Sequence, residues 1–269
     1  GVVITNGNEE ASIKAKVVIG FDGRNSMVRR KLNFEVKEYK LQPDVLWFKI
    51  PYPEKFLPGS QAFFSLFPKS FLVAVPVYDQ KLQVGWIIPA GSYGELKKKG
   101  KEKWIQYIKA KSPSGFADHL QKCLDENSIS DPFILKMTLD RVKKWSKKGA
   151  LLLGDAAHTM NAVGGQGLNI ALRDAVVCAN HLVPLMDSNP SNSSLDKAFE
   201  AIEKERIEEV TKVQEIQSRP PKFIAQNVLM VEIIVPILKL LFKLNFTDNL
   251  RKELIERMSR GFTEVKLKV

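Results

Sequence analysis

Residues 149–182, GALLLGDAAHTMNAVGGQGLNIALRDAVVCANHL, decide the fold predicted for this chain. The short apolar run at 150–153 is typical of a strand that is buried on both faces, and it stops at Gly154. After a glycine-rich stretch, apolar residues recur from Leu168 to Ala179 with the spacing of one helix face. The sequence therefore predicts a strand, a glycine-rich loop and a helix, in that order.

This order of elements has a chemical use. A helix that begins at Gly164, Gly165 and Gly167 directs unpaired backbone N–H groups and a partial positive charge into the loop, where an anionic oxygen can accept them. Asp155, at the carboxyl end of the predicted strand, is suited to accept hydrogen bonds from a pair of ribose hydroxyl groups. The same pattern also fits a turn that needs glycine only for its backbone angles, and the glycines alone do not decide between the two.

Two longer motifs favour the ligand-binding interpretation. Residues 154–175, GDAAHTMNAVGGQGLNIALRDA, resemble the second flavin-binding motif of class A FAD-dependent monooxygenases, the single-component aromatic-hydroxylase family. Residues 17–30, VVIGFDGRNSMVRR, are similar to the Asp-Gly motif of that family, which lies at a strand end and serves both FAD and the nicotinamide nucleotide. Trp145 also fits the sequence that usually leads into the second motif.

The resemblance implies a set of cofactor-binding residues. By their positions in the two motifs they are Asp22, Gly23, Arg29, Gly154, Asp155, Gly164, Gly165, Gly167, Leu168 and Asn169. Asp155 would hold the sugar-alcohol chain of the flavin, and the helix N-terminus near Gly167 would stabilise negative charge at the pyrimidine edge of the flavin. Without the resemblance, Asp22 and Arg29 fit a turn acid and an ion-paired base. No catalytic residue is assigned, and His158 is assigned a place in the loop only.

The chain departs from the family pattern at two points. Asn161 and Ala162 stand where family members usually carry one or two prolines, so backbone N–H groups are present that proline lacks. No G-x-G-x-x-G motif follows a strand, although in the family an N-terminal βαβ unit carries this motif and binds the ADP pyrophosphate. We therefore expect the chain to correspond to the C-terminal two thirds of such a flavoprotein.

The expected fold class is α/β. It would be the C-terminal two thirds of an FAD-binding, Rossmann-like flavoprotein monooxygenase fold, with an inserted, mostly antiparallel β-sheet substrate domain and C-terminal helices. The expected division gives 1–33 and 141–186 to the FAD-binding domain, 34–140 to the substrate domain and 187–269 to a C-terminal helical region.

Between the two motifs, the sequence predicts a meander of strands. β-branched and aromatic runs separated by turn residues occupy 45–50, 61–66, 71–77 and 82–88. Trp47, Phe64 and Trp86 are candidates for the lining of a substrate cavity, although most aromatic residues on strands belong to the core.

Outside the meander, the pattern predicts a hairpin and a long helix. The hairpin has strands at 2–5 and 11–19, joined by a turn that contains Asn6 and Gly7. The long charged helix covers 194–218 and is expected to end at the Pro220-Pro221 pair.

The composition predicts a folded protein in a reducing compartment. The chain has 269 residues, 44% of them hydrophobic, which is enough for one large or two ordinary domains. Its two cysteines, Cys123 and Cys178, do not suggest a disulfide framework, so a cytoplasmic location is expected.

The net charge of +11 comes with no nucleic-acid-binding motif, and nucleic acid is not an expected partner. His119 and Cys123 share a predicted helix face, but two ligands without a third do not predict a metal site.

Residues 228–246, VLMVEIIVPILKLLFKLNF, form the most apolar segment. Glu232, Pro236, Lys239 and Lys243 interrupt this segment and argue against a transmembrane span. Burial against the body of the protein, peripheral contact with a membrane surface and a homodimer contact stay open as interpretations.

The activity implied by the resemblance is that of a hydroxylase. Such an enzyme binds FAD, uses NADPH or NADH together with O₂, and inserts one oxygen atom into an aromatic or other hydrophobic small molecule through a flavin C4a-hydroperoxide. Two alternatives stay open at this point. One is a related flavin reductase or dehydrogenase, such as a prenyl reductase, and the other is a non-catalytic remnant that acts as a binding module.

Overall fold

A computed structural model describes residues 1–7, 9–38, 42–67, 70–226, 256 and 261–269. The chain divides into two compact units. Unit one contains residues 1–40, 138–219 and 247–269, and unit two contains residues 41–137 and 220–246. The apolar segment 228–246 lies outside the described residues, so its three interpretations stay predictions.

The described residues form strands and helices with the following bounds. The strands are β1 (Val2–Asn6), β2 (Glu9–Ile13), β3 (Val18–Gly20), β4 (Val36–Glu38), β5 (Asp44–Pro51), β6 (Phe63–Phe67), β7 (Ser70–Val77), β8 (Lys81–Ile88), β9 (Phe133–Lys136), β10 (Asp140–Val142), β11 (Ser146–Lys147) and β12 (Ala150–Leu152). The helices are α1 (Met27–Lys31), α2 (Tyr93–Lys99), α3 (Lys101–Lys109), α4 (Ser114–Asp125), α5 (Gln166–Met186) and α6 (Asn192–Gln226). Single 3₁₀ turns occupy Gly154–Ala156 and Val163–Gly165.

The predicted strand, glycine-rich loop and helix are β12, the loop that follows it and α5, all in unit one. β12 is buried along its whole length and lies in a three-stranded sheet between β11 and β3. It pairs with β3 in parallel, with Leu151 opposite Ile19. Because both strands run in the same direction, their carboxyl ends meet at one edge of the sheet. The first motif crosses this edge after Gly20, and the second motif begins there at Gly154.

The predicted hairpin is confirmed for its first part only. β1 and β2 pair antiparallel, with Ile4 opposite Ala11. The stretch predicted as one strand at 11–19 is in fact two, because β2 ends at Ile13 and β3 begins at Val18 in a different sheet. The partner of β3 is β12, which is distant in sequence and could not be inferred from the local alternation.

The long C-terminal helix α6 packs on the core of unit one. Its apolar side chains Phe199, Ile202, Val210 and Val213 are fully or almost fully buried, and they contact the cluster that includes Trp145. The prediction that the helix ends at the two prolines is wrong, since α6 continues to Gln226. A proline inside a helix removes one hydrogen bond and crowds the preceding turn, but here the helical backbone continues past both prolines.

Unit two is built on a five-stranded antiparallel sheet in the order β6-β7-β8-β5-β9. The four strands predicted in the meander are confirmed with small shifts at their ends. Helices α3 and α4 pack on one face of this sheet. Phe48 contacts Trp104 of α3 with a ring-centroid distance of 5.1 Å, and Phe63 contacts Phe116 of α4 at 4.9 Å.

Three further observations concern the whole described part of the chain. Neither Cys123, in α4, nor Cys178, in α5, forms a disulfide, and both side chains are buried. Among the described helices, none is both long enough and apolar enough to cross a membrane. The described residues also contain no group of three histidine, cysteine or acidic side chains that could hold a metal ion.

Candidate functional site

The chain leaves β12 through a turn that favours glycine. Gly154 has a φ of +56°, in the left-handed region, and a Cβ at this position would lie 2.7 Å from Cε1 of Phe21. The same atom would lie 3.2 Å from the Cβ of Ala171 in α5. Both the backbone angle and the close packing therefore make a side chain at this position unfavourable. This turn places Asp155 at the carboxyl end of β12.

Asp155 keeps its hydrogen-bonding capacity free. Its nearest cation is Nη2 of Arg24, at 4.0 Å, and its side chain is 32% exposed. No described residue donates a hydrogen bond to it. Burial raises the pKa of Asp155 above its ordinary value, although the charges of Arg24 and His158 oppose the rise. The carboxylate is thus partly buried and has a long ion pair with Arg24, but it accepts no hydrogen bond from the described residues.

The N-terminus of α5 lies beside this carboxylate. Gly165 precedes the helix in the left-handed conformation, with φ +63°, and in the described part of the chain no side chain caps the first turn. A Cβ on Gly167 would lie 3.9 Å from Oδ1 of Asp155. Gly164, Leu168 and Asn169 are exposed at the same end of the helix. The structure therefore brings together the residues of the second motif that the sequence singles out.

The candidates of the first motif have structural partners. Oδ2 of Asp22 accepts hydrogen bonds from the backbone N–H groups of Met27, at 2.6 Å, and Val28, at 3.3 Å. Burial acts to raise the pKa of Asp22, but the hydrogen bonds from Ser26 and these amides outweigh it and lower the pKa. Arg29 donates to both carboxylate oxygens of Asp140, each at 3.2 Å.

Arg24 is a residue that the sequence analysis missed. It follows Gly23, whose φ is +76° and around which a Cβ would meet no atom within 4 Å. Arg24 is the residue of the first motif that reaches Asp155 of the second. The signal was present, because Arg24 lies inside the first motif, but only the structure shows that its side chain turns toward Asp155.

Beneath the loop, the structure contains a buried charged group that the sequence analysis also missed. Asp174 of α5 accepts three hydrogen bonds, from the backbone N–H of Gly154 at 3.0 Å, from Nε2 of His158 at 2.7 Å and from Nε of Arg206 at 2.8 Å. All three side chains are at most 1% exposed. Burial acts to raise the pKa of Asp174, but His158 and Arg206 overcome it and hold the pKa below its ordinary value.

The same group extends to the C-terminal residues. Glu209 of α6 accepts hydrogen bonds from Arg206, from Nε of Arg173 at 2.9 Å and from the backbone N–H of Phe262 at 2.7 Å. Burial acts to raise the pKa of Glu209, and these partners lower it below its ordinary value. The carboxylates of Asp174 and Glu209 are thus paired with the guanidinium groups of Arg206 and Arg173.

Two glutamines of α6 hold the middle of the loop. Nε2 of Gln214 donates to the backbone carbonyls of Asp140, at 2.8 Å, and Thr159, at 3.0 Å. Oε1 of Gln217 accepts from the backbone N–H of Asn161 at 2.9 Å. Both glutamines are fully buried. The N–H that Asn161 has, and that proline would lack, is therefore bonded.

The three candidates for substrate contact lie on two faces of the five-stranded sheet. Trp86 pairs with Leu46 and packs with Trp104 on the face covered by helices, where it is 5% exposed. Trp47 pairs with Gly85 and therefore lies on the opposite face. Phe64, 66% exposed, shares that opposite face. Trp86 and the other two residues thus cannot line the same side of the sheet.

Comparison with known proteins agrees with this geometry. The model of a family described as FAD binding domain matches residues 2–213. The chain is 30% identical to 6-methylpretetramide 4-monooxygenase of Streptomyces rimosus over 81% of this chain and 51% of that protein. It is 25% identical to 3-demethoxyubiquinol 3-hydroxylase of Escherichia coli over 64% of this chain and 41% of that protein. The chain thus spans about half the length of these curated relatives.

A solved structure with the same fold is p-nitrophenol 4-monooxygenase PnpA of Pseudomonas putida DLL-E4. Its TM-score is 0.64 at 19% identity, over 84% of this chain and 54% of that one. The family model covers most of the chain, and both sequence motifs lie within the matched residues. The chain therefore belongs to the FAD binding domain family and has the fold of the FAD-dependent monooxygenases.

Proposed function

We propose that the protein that contains this chain is an FAD-dependent monooxygenase that hydroxylates an aromatic or other hydrophobic small molecule. NADPH or NADH would supply the electrons and O₂ the oxygen atom. The observation that carries this proposal is the carboxylate of Asp155, which accepts no hydrogen bond from the described residues and lies beside the uncapped N-terminus of α5. The relatives named above, which are a monooxygenase and a hydroxylase, support the same class.

The residues around Asp155 fit FAD. A sugar-alcohol chain offers hydroxyl donors, and Asp155 has free acceptor oxygens for them. At Gly167 a Cβ would approach Met160 within 3.7 Å and Asp155 within 3.9 Å, so the missing side chain leaves room there. The exposed N–H groups at the start of α5 are suited to an electron-rich ring edge.

Each part of this site would have a separate role. When bound, FAD supplies the redox chemistry and the activation of oxygen. Asp155 accepts hydrogen bonds and fixes the position of the cofactor. The N-terminal turn of α5, around Gly167, Leu168 and Asn169, stabilises negative charge. Arg24 balances part of the charge of Asp155 from 4.0 Å.

We also propose that the substrate binds in unit two, on the face of the five-stranded sheet that carries Trp47. One row crosses all five strands, and it consists of Phe64, Val73, Gly85, Trp47 and Phe133. The ring of Trp47 covers Gly85 so closely that a Cβ there would lie 2.7 Å from Cζ3. In the described part of unit two, the buried cluster on this face contains no helical residue. Such an apolar, aromatic surface suits a flat hydrophobic substrate.

The domain roles follow from these two placements. We propose that 1–33 and 141–186 bind the cofactor, that 34–140 binds the substrate, and that the part of α6 within 187–218 supports the cofactor site.

The decisive experiment is the visible absorption spectrum of the complete protein, with Asp155→Ala compared with wild type. Wild type should bind FAD, and the variant should bind it about 10- to 100-fold more weakly, because hydrogen bonds to a charged group are lost. Asp187→Ala, an exposed aspartate just after α5, is the matched control and should bind FAD normally. Equal affinity of Asp155→Ala and wild type would contradict the assignment.

Oxygen consumption then separates the hydroxylase from a flavin reductase. A hydroxylase supplied with NADPH should consume O₂ faster when an aromatic substrate is added. A protein that binds FAD and oxidises NADPH without this stimulation would be a reductase or dehydrogenase. A complete protein that binds no flavin would be a binding module instead.

A further inference from the structure

Helix α6 carries an unusual buried surface. Four of its polar side chains, Arg206, Glu209, Gln214 and Gln217, have no exposed area, and together they form what we term the polar stripe. A helix that packs on a core normally buries apolar residues along its inner face. Buried polar groups destabilise a protein unless they are hydrogen-bonded, so the partners of the stripe are informative.

The loop between β12 and α5, residues 153–165, is the one that we assign to FAD and term the flavin loop. The polar stripe contacts this loop, directly or through Asp174, at three successive points. Arg206 holds Asp174, which in turn accepts the N–H of Gly154 at the first residue of the loop. Gln214 binds the carbonyl of Thr159, and Gln217 binds the N–H of Asn161. One helix therefore fixes the loop from its beginning to its middle.

Glu209 links the polar stripe to the residues that follow α6 in sequence. It accepts from Arg206 within the stripe and from the backbone of Phe262 outside it. The stripe is therefore held from both sides, and its guanidinium group cannot turn away from Asp174 without leaving charges unpaired in the core.

The pair of Gln217 and Asn161 is the most specific of these contacts. A proline at 161 would have no N–H, and Oε1 of Gln217 would then have no backbone donor there. Proline stiffens a loop by fixing its own φ, whereas here the stiffness comes from a hydrogen bond to a neighbouring helix. The bond length of 2.9 Å and the complete burial of Gln217 make this an ordinary, well-formed interaction.

We propose that the polar stripe of α6 is the positioning device of the flavin loop, and that Gln217 is a positioning residue that acts on the cofactor through Asn161. The inference rests on the proposed function, since it assigns the loop to FAD. Gln217 does not touch the cofactor in this scheme. Its loss removes the bond from the N–H of Asn161 to Oε1 of Gln217, and the loop that carries Asp155 and the start of α5 is held less firmly.

The test uses the complete protein loaded with FAD and two substitutions of Gln217. Gln217→Met keeps the length of the side chain and removes the acceptor, whereas Gln217→Glu keeps an acceptor oxygen. Glu215→Met, on the exposed side of the same helix turn, is the control for a methionine in α6. The readouts are the dissociation constant for FAD, the midpoint potential and visible spectrum of the bound flavin, and hydrogen exchange at the amide of Asn161.

Gln217→Met should weaken FAD binding about 10-fold, shift the flavin potential and spectrum, and speed exchange at Asn161 about 10-fold or more. Gln217→Glu should restore slow exchange at Asn161 and most of the affinity, and Glu215→Met should match wild type. The proposal is overturned if Gln217→Met lowers only the melting temperature and leaves the affinity, potential and spectrum of the flavin unchanged. If wild type binds no FAD, the proposed function fails, and exchange at residues 154–161 still decides whether α6 holds the loop.

Discussion

Asp155 and Asp174 lie on opposite sides of the same loop, and their surroundings differ in nearly every respect. Asp174 is fully buried and accepts three hydrogen bonds, which keep its pKa low. Asp155 is 32% exposed, has one cation at 4.0 Å and has a raised pKa. The hydrogen-bonding capacity of Asp174 is taken up by the fold, whereas that of Asp155 is left for a ligand.

Asp174 thus marks the side of the loop that packs on the core, and Asp155 marks the side that we assign to the ligand. A fold satisfies its buried polar groups, and the groups that it leaves unsatisfied tend to be those that a ligand will satisfy. Removing charge should therefore have opposite effects on the stability of the flavin-free protein at the two aspartates.

The largest effect is expected for Asp174→Asn. The substitution removes one of the two buried carboxylates that balance Arg206 and leaves Glu209 as the other, so the free energy of unfolding should fall by about 3–5 kcal/mol. Since the folded state lowers the pKa of Asp174, its ionised form stabilises the protein above the unfolded pKa, and this stabilisation is lost as the pH falls through the folded pKa. The loss caused by the substitution should shrink accordingly in acid. Urea unfolding between pH 7 and pH 3 measures it, with the exposed Asp187→Asn as control.

Gly154→Ala should have the next largest effect, because it acts on the packed side of the loop. The left-handed φ costs about 1–2 kcal/mol for alanine, and the contact at 2.7 Å with Phe21 adds further strain. We expect the free energy of unfolding to fall by about 2–3 kcal/mol. Thermal unfolding of the flavin-free protein is the measurement, and a stability equal to wild type would show that the loop adjusts at this turn.

Gly165→Ala provides the matched test on the open side. Gly165 also has a left-handed φ, of +63°, but a Cβ there would meet no atom within 4 Å. Only the backbone cost of about 1 kcal/mol should remain. The difference between the two alanine variants therefore measures the packing beneath the loop. Equal losses for both would show that backbone angle alone sets the cost.

Asp155→Asn should have the smallest effect on stability, and in the opposite direction. Because burial raises the pKa of Asp155, its ionised form destabilises the flavin-free protein at neutral pH. The variant should therefore melt slightly higher than wild type at pH 7. The gain should disappear below the ordinary aspartate pKa of about 4, where the acid is protonated in both states. A lower melting temperature at pH 7 would indicate that Asp155 is a structural residue.

The sequence predicts the open side of the loop, with Asp155, but not the buried side, with Asp174 and its partners. β12, the loop and α5 follow from local hydrophobic spacing and from the glycines, and Asp155 is placed by its position directly after a strand. Arg206 lies 32 residues from Asp174, and Gln217 lies 56 residues from Asn161. Nothing local specifies such pairings. The only signal was the presence of polar residues on the inner face of α6, where the helical pattern leads one to expect apolar ones.

In unit two, the strands were predictable from the sequence but the register between them was not. The strands were predictable from their composition, but the face on which each aromatic residue lies depends on the register between strands. Trp86 lies opposite Leu46, and Trp47 lies opposite Gly85, so one residue of register separates a core tryptophan from one on the other face. Pro220 and Pro221 show that a local signal can also mislead, since the backbone of α6 continues through them.

The burial of the two cysteines has a consequence for chemical durability. Peroxide oxidises the thiolate form of cysteine much faster than the thiol. Burial and the charge of Asp174 raise the pKa of Cys178 to about 11, and burial raises the pKa of Cys123 above its ordinary value. Both side chains are therefore thiols at neutral pH and shielded from solutes. A protein that handles peroxide-level oxygen would thus carry its cysteine sulfur in the form least open to attack.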